Sequence, residues 1–432
     1  MNFLSNSVNS KQETPLKLVA AVDLGSNSFH LIVAKVVEKN KKIKVYKIDN
    51  IKEQVRLADG LDERKNLIKS AQEKALFRLR MFGERLRSFS PDAVRAVATN
   101  TFRVAKNNEE FTLKCEDALG FPIEIISGVE EARLIYQGVS NTVDADGRQK
   151  LVVDIGGGST EFIIGKGPRT KLLESVFVGC SVLNREFFSE KNIMPETFEK
   201  AIFFARKEIQ VITSSFKKTG WDVAFGCSGT IKSIYDVCKA NGFGENGITL
   251  NSLIELKKII LTSENLTNNL LLGLKNDRVA LFPSGLAILI AIFKELKIVR
   301  MDLCDAALRT GVLYDIVGRE WDNDSRSSTV EQFMIQYEID KLQSSRVVKL
   351  SSYFSNLVFD HNDDNCKEIK KLVIWASALL ELGHVISHNS YHKHSAYIIS
   401  NSDMPGFARG EQHLMSMLVL GHVGKLGKVS NY

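Results

Sequence analysis

Residues 151–165 read LVVDIGGGSTEFIIG, and this stretch decides the fold of the chain. Two apolar runs flank an aspartate and three consecutive glycines, which is the pattern of two buried strands joined by a glycine-rich turn. Residues 19–34 read VAAVDLGSNSFHLIVA and repeat the pattern, with Asp23 in the place of Asp154. An internal repeat of this kind predicts two related α/β halves, each opening with a strand, an aspartate, a glycine-rich turn and a second strand.

The composition is that of an ordinary globular protein. The chain has 432 residues, of which 44% are hydrophobic and 25% are charged, and this length predicts two or three domains. The net charge of +6 favours anionic partners without choosing among them. The six cysteines form no CxxC pair. This spacing excludes zinc-ribbon and dithiol redox sites and predicts reduced thiols, as in the cytoplasm.

The N-terminus and the apolar runs predict a cytoplasmic protein without membrane insertion. Residues 1–16 are polar and are predicted to form a disordered tail. They lack the basic start and the apolar run of a signal peptide. The longest strongly apolar stretch, LAILIAIF at 286–293, is too short to span a bilayer.

Strand and helix signals divide the rest of the chain into three parts. Residues 17–140 form the first half, with a β-meander and a helix over 65–89. Residues 141–320 form the second half, which opens with the quoted hairpin. The polar run WDNDSRSS at 321–328 is predicted to be a linker, and residues 328–432 are helical in period.

The two glycine-rich turns predict a metal-assisted phosphate site. Glycine lets the backbone approach a ligand closely, and a nest of amides binds phosphate oxygens. An aspartate beside such a nest would repel phosphate unless a divalent cation lies between them. The predicted phosphate contacts in the turns are Gly25, Ser26, Asn27, Ser28, Gly156, Gly157, Gly158, Ser159 and Thr160. The predicted metal site comprises Asp23, Asp154 and Glu161.

A simpler alternative for each turn is a glycine hairpin that happens to contain an aspartate. Two copies at equivalent places favour the phosphate site, although neither GxxxxGK[ST] nor GxGxxG is present. A third turn, GCSGT at 226–230, follows a strand and opens a helix, whose N-terminus suits an anion. Its predicted contacts are Ser228, Gly229 and Thr230, and helix capping by either hydroxyl is the alternative.

Seven motifs occur in a fixed order: VDLGSNSFH, ATNTFR, IISGVEEARLIYQGV, VVDIGGGSTEF, CSGTIK, FPSGLAIL and ALRTGVLYD. Together they resemble the exopolyphosphatase / guanosine pentaphosphate phosphohydrolase family over residues 18–318, and the likeness continues through HKHSAYIISNSDMPGF at 392–407. The resemblance implies an α/β fold of the sugar kinase–Hsp70–actin superfamily. Such a fold has duplicated actin-like, ribonuclease H-like halves, followed here by an all-α C-terminal domain.

The resemblance also implies roles for individual residues. Glu131 matches the catalytic glutamate, and Arg103 and Arg309 match arginines that face the phosphates. Asp154 and Glu161 match acidic residues near the metal, which the family takes as Mg²⁺. Hydrolysis of a phosphoanhydride needs a placed water, a base and cations around the departing charge, which these residue types supply.

Two details of these motifs limit what the residues alone decide. Glu130 and Glu131 are consecutive on one predicted helix, and their chemistry does not distinguish them. The family usually carries a glutamate after its last arginine, whereas this chain has Thr310. The choice of Glu131 therefore rests on the resemblance.

The C-terminal part carries a histidine-rich segment with His384, His388, His392 and His394. Spacing of four residues places two ligands on one helix face, so a second metal site is one interpretation. Long family members carry a domain here that resembles HD phosphohydrolases, but this chain has no His-Asp dipeptide. A degenerate, non-catalytic HD-like helical domain is therefore the favoured prediction.

The leading functional prediction is an exopolyphosphatase that uses Mg²⁺ and acts on inorganic polyphosphate. Hydrolysis of guanosine pentaphosphate is the alternative within the family, because both substrates end in a phosphoanhydride. An ATP-driven member of the superfamily and a catalytically silent sensor are the further alternatives. No nucleic-acid partner is expected, and the resemblance admits a homodimer.

Overall fold

The structure is a computed structural model. It describes residues 17–39, 42–144, 146–189, 193–244, 247–262, 271–320, 324–359 and 364–431. The predicted tail at 1–16 and residues 321–323 of the predicted linker lie outside the described residues. The described residues form two five-stranded sheets, each flanked by helices, and a C-terminal group of helices.

The first half is a mixed sheet with the strand order β3-β2-β1-β4-β5. Its elements are β1 (Lys17–Leu24), β2 (Ser28–Lys39), β3 (Lys42–Gln54), α1 (Lys69–Leu86), β4 (Val94–Ala98), α2 (Asn100–Val104), α3 (Asn108–Leu119), β5 (Ile123–Ile125) and α4 (Gly128–Ser140). The first three strands form an antiparallel meander, and β4 and β5 continue the sheet in parallel to β1.

The second half repeats this topology with the strand order β8-β7-β6-β9-β10. Its elements are β6 (Gln149–Ile155), β7 (Thr160–Lys166), β8 (Arg169–Val176), α5 (Cys180–Phe187), α6 (Pro195–Thr219), β9 (Val223–Gly226), α7 (Gly229–Ala240), α8 (Leu250–Leu261), α9 (Phe282–Leu296), β10 (Met301–Leu303) and α10 (Leu308–Glu320). An antiparallel meander is again followed by two parallel strands. The predicted duplication of actin-like α/β halves is therefore confirmed.

Strand β1 is buried on both faces, which explains its nearly continuous apolar sequence. Ala20, Val22 and Leu24 face a core that includes α1 and α3, whereas Val19 and Ala21 face a core that includes α4 and α10. The carboxyl ends of parallel strands meet at one edge of a sheet, where ligand sites form. The turns that follow β1, β4 and β6 therefore gather between the two halves.

The last helices of the two halves, α4 and α10, pack backbone to backbone. A Cβ added at Gly311 would lie 1.7 Å from the carbonyl oxygen of Leu134, and one added at Gly138 would lie 2.5 Å from that of Ala307. Only glycine allows so close a crossing. The two helices run antiparallel at this crossing, because Gly138 lies against Ala307 and Leu134 lies against Gly311.

One helical segment of the described residues, Asn276–Leu296, has the length and the apolar composition of a membrane span. It has 21 residues, because a 3₁₀ turn over Asn276–Leu281 runs directly into α9, so it is longer than the sequence suggested. However, 78% of its most apolar window is buried inside the protein. It is the central core helix of the second half, packed against α6 and α8.

The C-terminal part is entirely helical in the described residues, as predicted. Its helices are α11 (Ser325–Gln336), α12 (Lys341–Val358), α13 (Asp364–Ala378), α14 (Tyr391–Asn401) and α15 (Arg409–Gly421). They enclose a separate apolar core that includes Phe333, Trp375 and Phe407. Helix α11 begins within the segment predicted as a linker, where Asp324 caps it by accepting a hydrogen bond from the Arg326 amide.

Candidate active site

A cavity of about 530 Å³ lies between the two halves and is lined by both duplicated turns. A Cβ added at Gly157 would lie 3.0 Å from the Cβ of Ser26 and 3.8 Å from the amide nitrogen of Asn27, so the two turns face one another. Both strand-end aspartates line the same cavity. Predicted residues that line it are Asp23, Gly25, Ser26, Asn27, Ser28, Glu131, Asp154, Gly156, Gly157, Gly158, Ser159, Ser228, Gly229, Thr230 and Arg309.

The segment after β4 braces both turns. The Thr101 hydroxyl donates a 2.7 Å hydrogen bond to the Ser26 hydroxyl in the first turn. Asn100 packs on the second turn, where a Cβ added at Gly158 would lie 1.8 Å from its Nδ2 atom. Any side chain at Gly158 would therefore displace Asn100 from the second turn. The absence of that side chain leaves the backbone amides close to the cavity.

The third turn lies at the start of α7 and both caps the helix and lines the cavity. The Ser228 hydroxyl accepts a hydrogen bond from the Ile231 amide at 3.0 Å, as an N-cap does. A Cβ added at Gly229 would lie 2.7 Å from Nη2 of Arg278. A guanidinium group and a helix N-terminus thus meet at this wall, and both favour an anion.

Glu131 lies in the first turn of α4 and faces the cavity. Its Oε2 atom accepts a 2.9 Å hydrogen bond from Nη1 of Arg103, which also donates to the Ile126 carbonyl oxygen at 2.9 Å. Glu130 is fully buried and points away, towards the C-terminal domain. The structure therefore distinguishes Glu131 from Glu130, which the residue types alone could not do.

Arg309 lies in the first turn of α10 and donates to Nδ1 of His30 at 2.6 Å. Nε2 of the same ring lies 2.8 Å from the Ser28 hydroxyl. Burial lowers the pKa of His30 to about 2, and the charges of Arg309, Lys52 and Arg278 add to this effect. The ring is therefore neutral, and because arginine only donates, the proton is on Nε2 and is shared with Ser28.

The two strand-end aspartates have strongly raised pKa values. Burial raises the pKa of Asp23 from 3.8 to about 7; Arg309 opposes this shift, while Glu131 and Asp154 add to it. Burial likewise raises the pKa of Asp154 to about 7, with a further contribution from Glu131, although the Cys227 thiol donates to its Oδ2 atom at 3.6 Å. Several buried carboxylates thus repel one another around one cavity.

The donor set of this cavity fits Mg²⁺. Among the residues that the structure describes, no three His, Cys, Asp or Glu side chains are assembled into a metal-holding group. Mg²⁺ is usually held by one or two carboxylates together with waters and substrate phosphates, so a complete protein cage is not required. Asp23 and Asp154 are the two carboxylates whose raised pKa values an adjacent cation would reverse.

Three predicted site residues do not line the cavity. Arg103 lies behind Glu131 and is hydrogen-bonded to it. The Thr160 hydroxyl donates to the Val178 carbonyl oxygen at 2.5 Å, which holds the end of the hairpin. Glu161 is buried beside Asp154 in the register of the β6–β7 hairpin and accepts from the Ser175 hydroxyl at 2.9 Å.

The far wall of the cavity carries cations that were not predicted as site residues. These are Lys52, Lys232, Lys275 and Arg278. Burial lowers the pKa of Lys52, with Arg278 adding to the shift. Lys52 belongs to β3, the basic strand that begins with KIKVYK; it is exposed, as are Lys44 and Lys47 of that strand, but it lines the cavity. The density of lysine on this strand was the available signal, but the sequence did not show which lysine lines the cavity.

The chain matches known families over nearly its whole described length. Residues 32–320 match the Ppx/GppA phosphatase family, and residues 325–432 match domain III of the Ppx/GppA phosphatases. A crystal structure of the Aquifex aeolicus family member is 24% identical, with a TM-score of 0.59, and the match covers 71% of this chain and 99% of that one. An exopolyphosphatase from Cytophaga hutchinsonii is 22% identical, with a TM-score of 0.62 and coverages of 70% and 98%.

These solved relatives are matched almost completely by about 70% of this chain, so they share its fold over that part. The domain III match extends the family assignment to the C-terminal helices. Together the two family matches cover more than half of the chain, including the second glycine-rich turn, Glu131 and Arg309 of the cavity. The chain therefore belongs to the Ppx/GppA phosphatase family.

Proposed function

We propose that this protein is an exopolyphosphatase that hydrolyses the terminal phosphoanhydride bond of inorganic polyphosphate and releases orthophosphate. The observation that carries the proposal is the meeting of three features in one cavity. These are the two facing turns, the carboxylate of Glu131 and the guanidinium of Arg309. A cavity with backbone amides, cations and a base matches the needs of phosphoryl transfer to water.

In this proposal Glu131 orients a water molecule and accepts its proton as the water attacks the terminal phosphorus. Arg103 holds one carboxylate oxygen of Glu131 at 2.9 Å, which leaves the other oxygen for the water. Arg309, the amides of the two turns and the N-terminus of α7 contact the phosphate oxygens. These groups are fixed before the reaction, so they stabilise the developing charge without reorganisation.

We assign Asp23 and Asp154 as the residues that would hold Mg²⁺. When bound, the cation would neutralise phosphate oxygens and so let anionic substrate approach two carboxylates. Glu161 lies behind Asp154, where burial and the neighbouring carboxylates raise its pKa, and it is not assigned a contact with substrate.

Lack of aromatic lining favours inorganic polyphosphate over guanosine pentaphosphate. Among the residues described by the structure, no Phe, Tyr or Trp side chain lines the cavity, so no ring is placed to stack on a base. The cationic wall of Lys52, Lys275 and Arg278 instead suits a continuing polyanion. The buried cysteines are reduced thiols, which supports action in the cytoplasm; they are Cys115, Cys180, Cys227, Cys238 and Cys304.

The test compares three substrates at equal concentration of terminal phosphate: long-chain polyphosphate, guanosine pentaphosphate and ATP, each with Mg²⁺. We expect the largest kcat/KM for phosphate release from polyphosphate and none beyond background for Glu131→Ala. A larger kcat/KM on guanosine pentaphosphate would favour the alternative substrate. Tight ATP binding with turnover would favour an ATP-driven protein. Binding of polyphosphate without turnover would favour a catalytically silent sensor. Any of these three results would contradict the proposal.

A further inference from the structure

A loop of the C-terminal domain reaches the helix that carries Glu131. The Gly406 amide donates a 2.6 Å hydrogen bond to Oε2 of Glu130, and the Gly406 carbonyl oxygen accepts from Nη2 of Arg319 at 3.3 Å. The N–H group of Gly406 is thus bonded to a side chain of α4, and the C=O group of Gly406 is bonded to a side chain of α10. Glu130 is fully buried, so this contact is shielded from water.

The loop is rigidly anchored on its own side. Met404 and Phe407 are buried in the C-terminal core, where the Phe407 ring packs edge-on against Trp375 at 5.3 Å. The Pro405 carbonyl oxygen accepts from the Thr329 hydroxyl at 2.5 Å. Gly406 has φ +95°, and a Cβ there would lie 2.9 Å from the Ser325 hydroxyl and 3.0 Å from the Arg326 backbone nitrogen.

Both carboxylate oxygens of Glu130 are occupied. Oε2 accepts from Gly406 and also from Nε of Arg133 at 2.7 Å, while Oε1 accepts from Nη2 of Arg133 at 2.8 Å. Arg133 donates in turn to Asp315 on α10 at 2.6 Å. The first turn of α4 is therefore fixed to α10 and to the C-terminal domain through one side chain.

Glu131 follows Glu130 directly and faces the opposite way, into the cavity. Because two consecutive helical residues share one rigid backbone turn, a displacement of Glu130 moves the carboxylate of Glu131. Misplacement of a catalytic group by about 1 Å can lower a rate about a hundredfold. The position of Glu131 is thus sensitive to the contact that Gly406 makes.

We propose that the C-terminal domain positions Glu131 through the hydrogen bond from Gly406 to Glu130, and that Glu130 and Gly406 are positioning residues of the reaction. The inference rests on the proposed role of Glu131.

The test measures kcat and KM for phosphate release by the full chain carrying Glu130→Gln or Gly406→Ala. Glutamine carries an NH₂ group in place of one carboxylate oxygen, so it cannot accept from Gly406 and from both nitrogens of Arg133, and its NH₂ group faces an N–H donor in either orientation. Gly406→Ala displaces the loop from the other side of the same bond. We expect each variant to lower kcat about 10- to 100-fold with KM within about twofold.

The double variant distinguishes positioning from general loss of stability. If both changes act through one bond, Gly406→Ala adds little to the loss of kcat already caused by Glu130→Gln. Glu295→Gln is the matched control, because Glu295 is also a buried carboxylate that accepts from an arginine, Arg206, at 2.6 Å, but lies on α9. It should keep the wild-type kcat even if its melting temperature falls.

A wild-type kcat in Glu130→Gln would overturn the inference. The inference would also be overturned if KM and kcat fell by the same factors in Glu295→Gln as in Glu130→Gln. If Gly406→Ala does not fold, Glu130→Gln alone decides between these results. Glu131→Gln is measured in parallel. An active wild type, an inactive Glu131→Gln and a fully active Glu130→Gln would contradict this inference alone. An inactive wild type would contradict the proposed function and this inference with it.

Discussion

Two buried groups of charged side chains lie on different sides of α4, and they differ in the ratio of acidic side chains to arginines. The cleft cluster holds the carboxylates of Asp23, Glu131, Asp154 and Glu161 and the guanidinium groups of Arg103 and Arg309. The interface network joins the halves to the C-terminal domain and holds Glu124, Glu130 and Asp315 with Arg95, Arg133 and Arg319. The first has more acids than arginines, whereas the second has equal numbers.

The pKa values follow this difference. Burial alone would raise the pKa of Asp315, but Arg133, Arg95 and Arg319 hold it well below its usual range. In the cleft cluster, burial raises the pKa values of Asp23 and Asp154 to about 7, and Arg309 only partly opposes this. In a balanced network the buried charges compensate one another, whereas an excess of buried acids marks the place where a cation and its substrate complete the charges.

The largest expected effect comes from removing the base of the cleft cluster. Glu131→Gln keeps the shape of the side chain and its contact with Arg103, but it cannot accept a proton. We expect kcat for phosphate release to fall about 10²- to 10⁴-fold with little change in melting temperature. Steady-state kinetics and thermal unfolding check this. A kcat within threefold of wild type would show that the cleft cluster has another base.

The interface network should show the converse, a loss of stability. Asp315→Asn removes the acid shared by Arg95 at 2.6 Å and Arg133 at 2.6 Å, so the three guanidinium groups of the network share only the carboxylates of Glu124 and Glu130. We expect the free energy of unfolding to fall by about 3–5 kcal/mol, measured by urea denaturation. Asp302→Asn is the control, because its pair with Arg300 is exposed and should contribute below about 1 kcal/mol. Equal effects of the two changes would contradict the assignment.

The pH dependence of stability distinguishes the two groups further. Between pH 3.8 and about 7 the folded protein keeps protons on Asp23 and Asp154 that the unfolded chain has lost, so their contribution to the free energy of unfolding falls as pH rises. Mg²⁺ competes with those protons. We therefore expect Mg²⁺ to raise the melting temperature more at about pH 8 than at about pH 5.5. An increment that is the same at both pH values would contradict this.

The smallest expected effect concerns His30, which contacts Arg309 of the cleft cluster and Ser28 of the first turn. Its neutral ring accepts from Arg309 and lies 2.8 Å from the Ser28 hydroxyl. His30→Gln keeps polar atoms but loses this double contact, so we expect kcat/KM to fall about 2- to 10-fold. Because burial lowers the pKa of His30 to about 2, the wild-type rate should show no titration of this ring near pH 6.5. If the wild-type rate changed near pH 6.5 and His30→Gln abolished that change, the assignment of a neutral ring would be contradicted.

Most of the fold could be predicted from the sequence, because an internal repeat is visible in the order of the residues without knowledge of their three-dimensional contacts. Two turns with Asp23 and Asp154 at equivalent places predict two halves, and the structure has the same strand order in both. Helix ends were less accurate: the helix predicted over 65–89 runs from Lys69 to Leu86. Neither Ile68 nor Arg87, the residues at its two ends, makes a side-chain cap that the sequence could reveal.

The candidate site was predictable only where local pattern determines position. The glycine turns line the cavity as expected, because a turn faces the edge of its own sheet. Glu130 and Glu131 were indistinguishable, because the difference between them depends on a loop about 275 residues further along the chain. Arg278 joins the cavity through a 3₁₀ turn that carries no motif of its own. Such long-range contacts have no local signature.

The most direct test of the difference between the two groups is a titration with Mn²⁺ as a spectroscopic substitute for Mg²⁺, followed by electron paramagnetic resonance. The proteins compared are wild type, Asp154→Asn from the cleft cluster and Glu124→Gln from the interface network. Loss of an outer-sphere partner already weakens metal sites about 10- to 100-fold, so loss of a ligand should have at least that effect. We predict that Asp154→Asn weakens Mn²⁺ binding at least about tenfold, while Glu124→Gln binds as wild type does. Equal binding by all three proteins would contradict a cation site between the two turns.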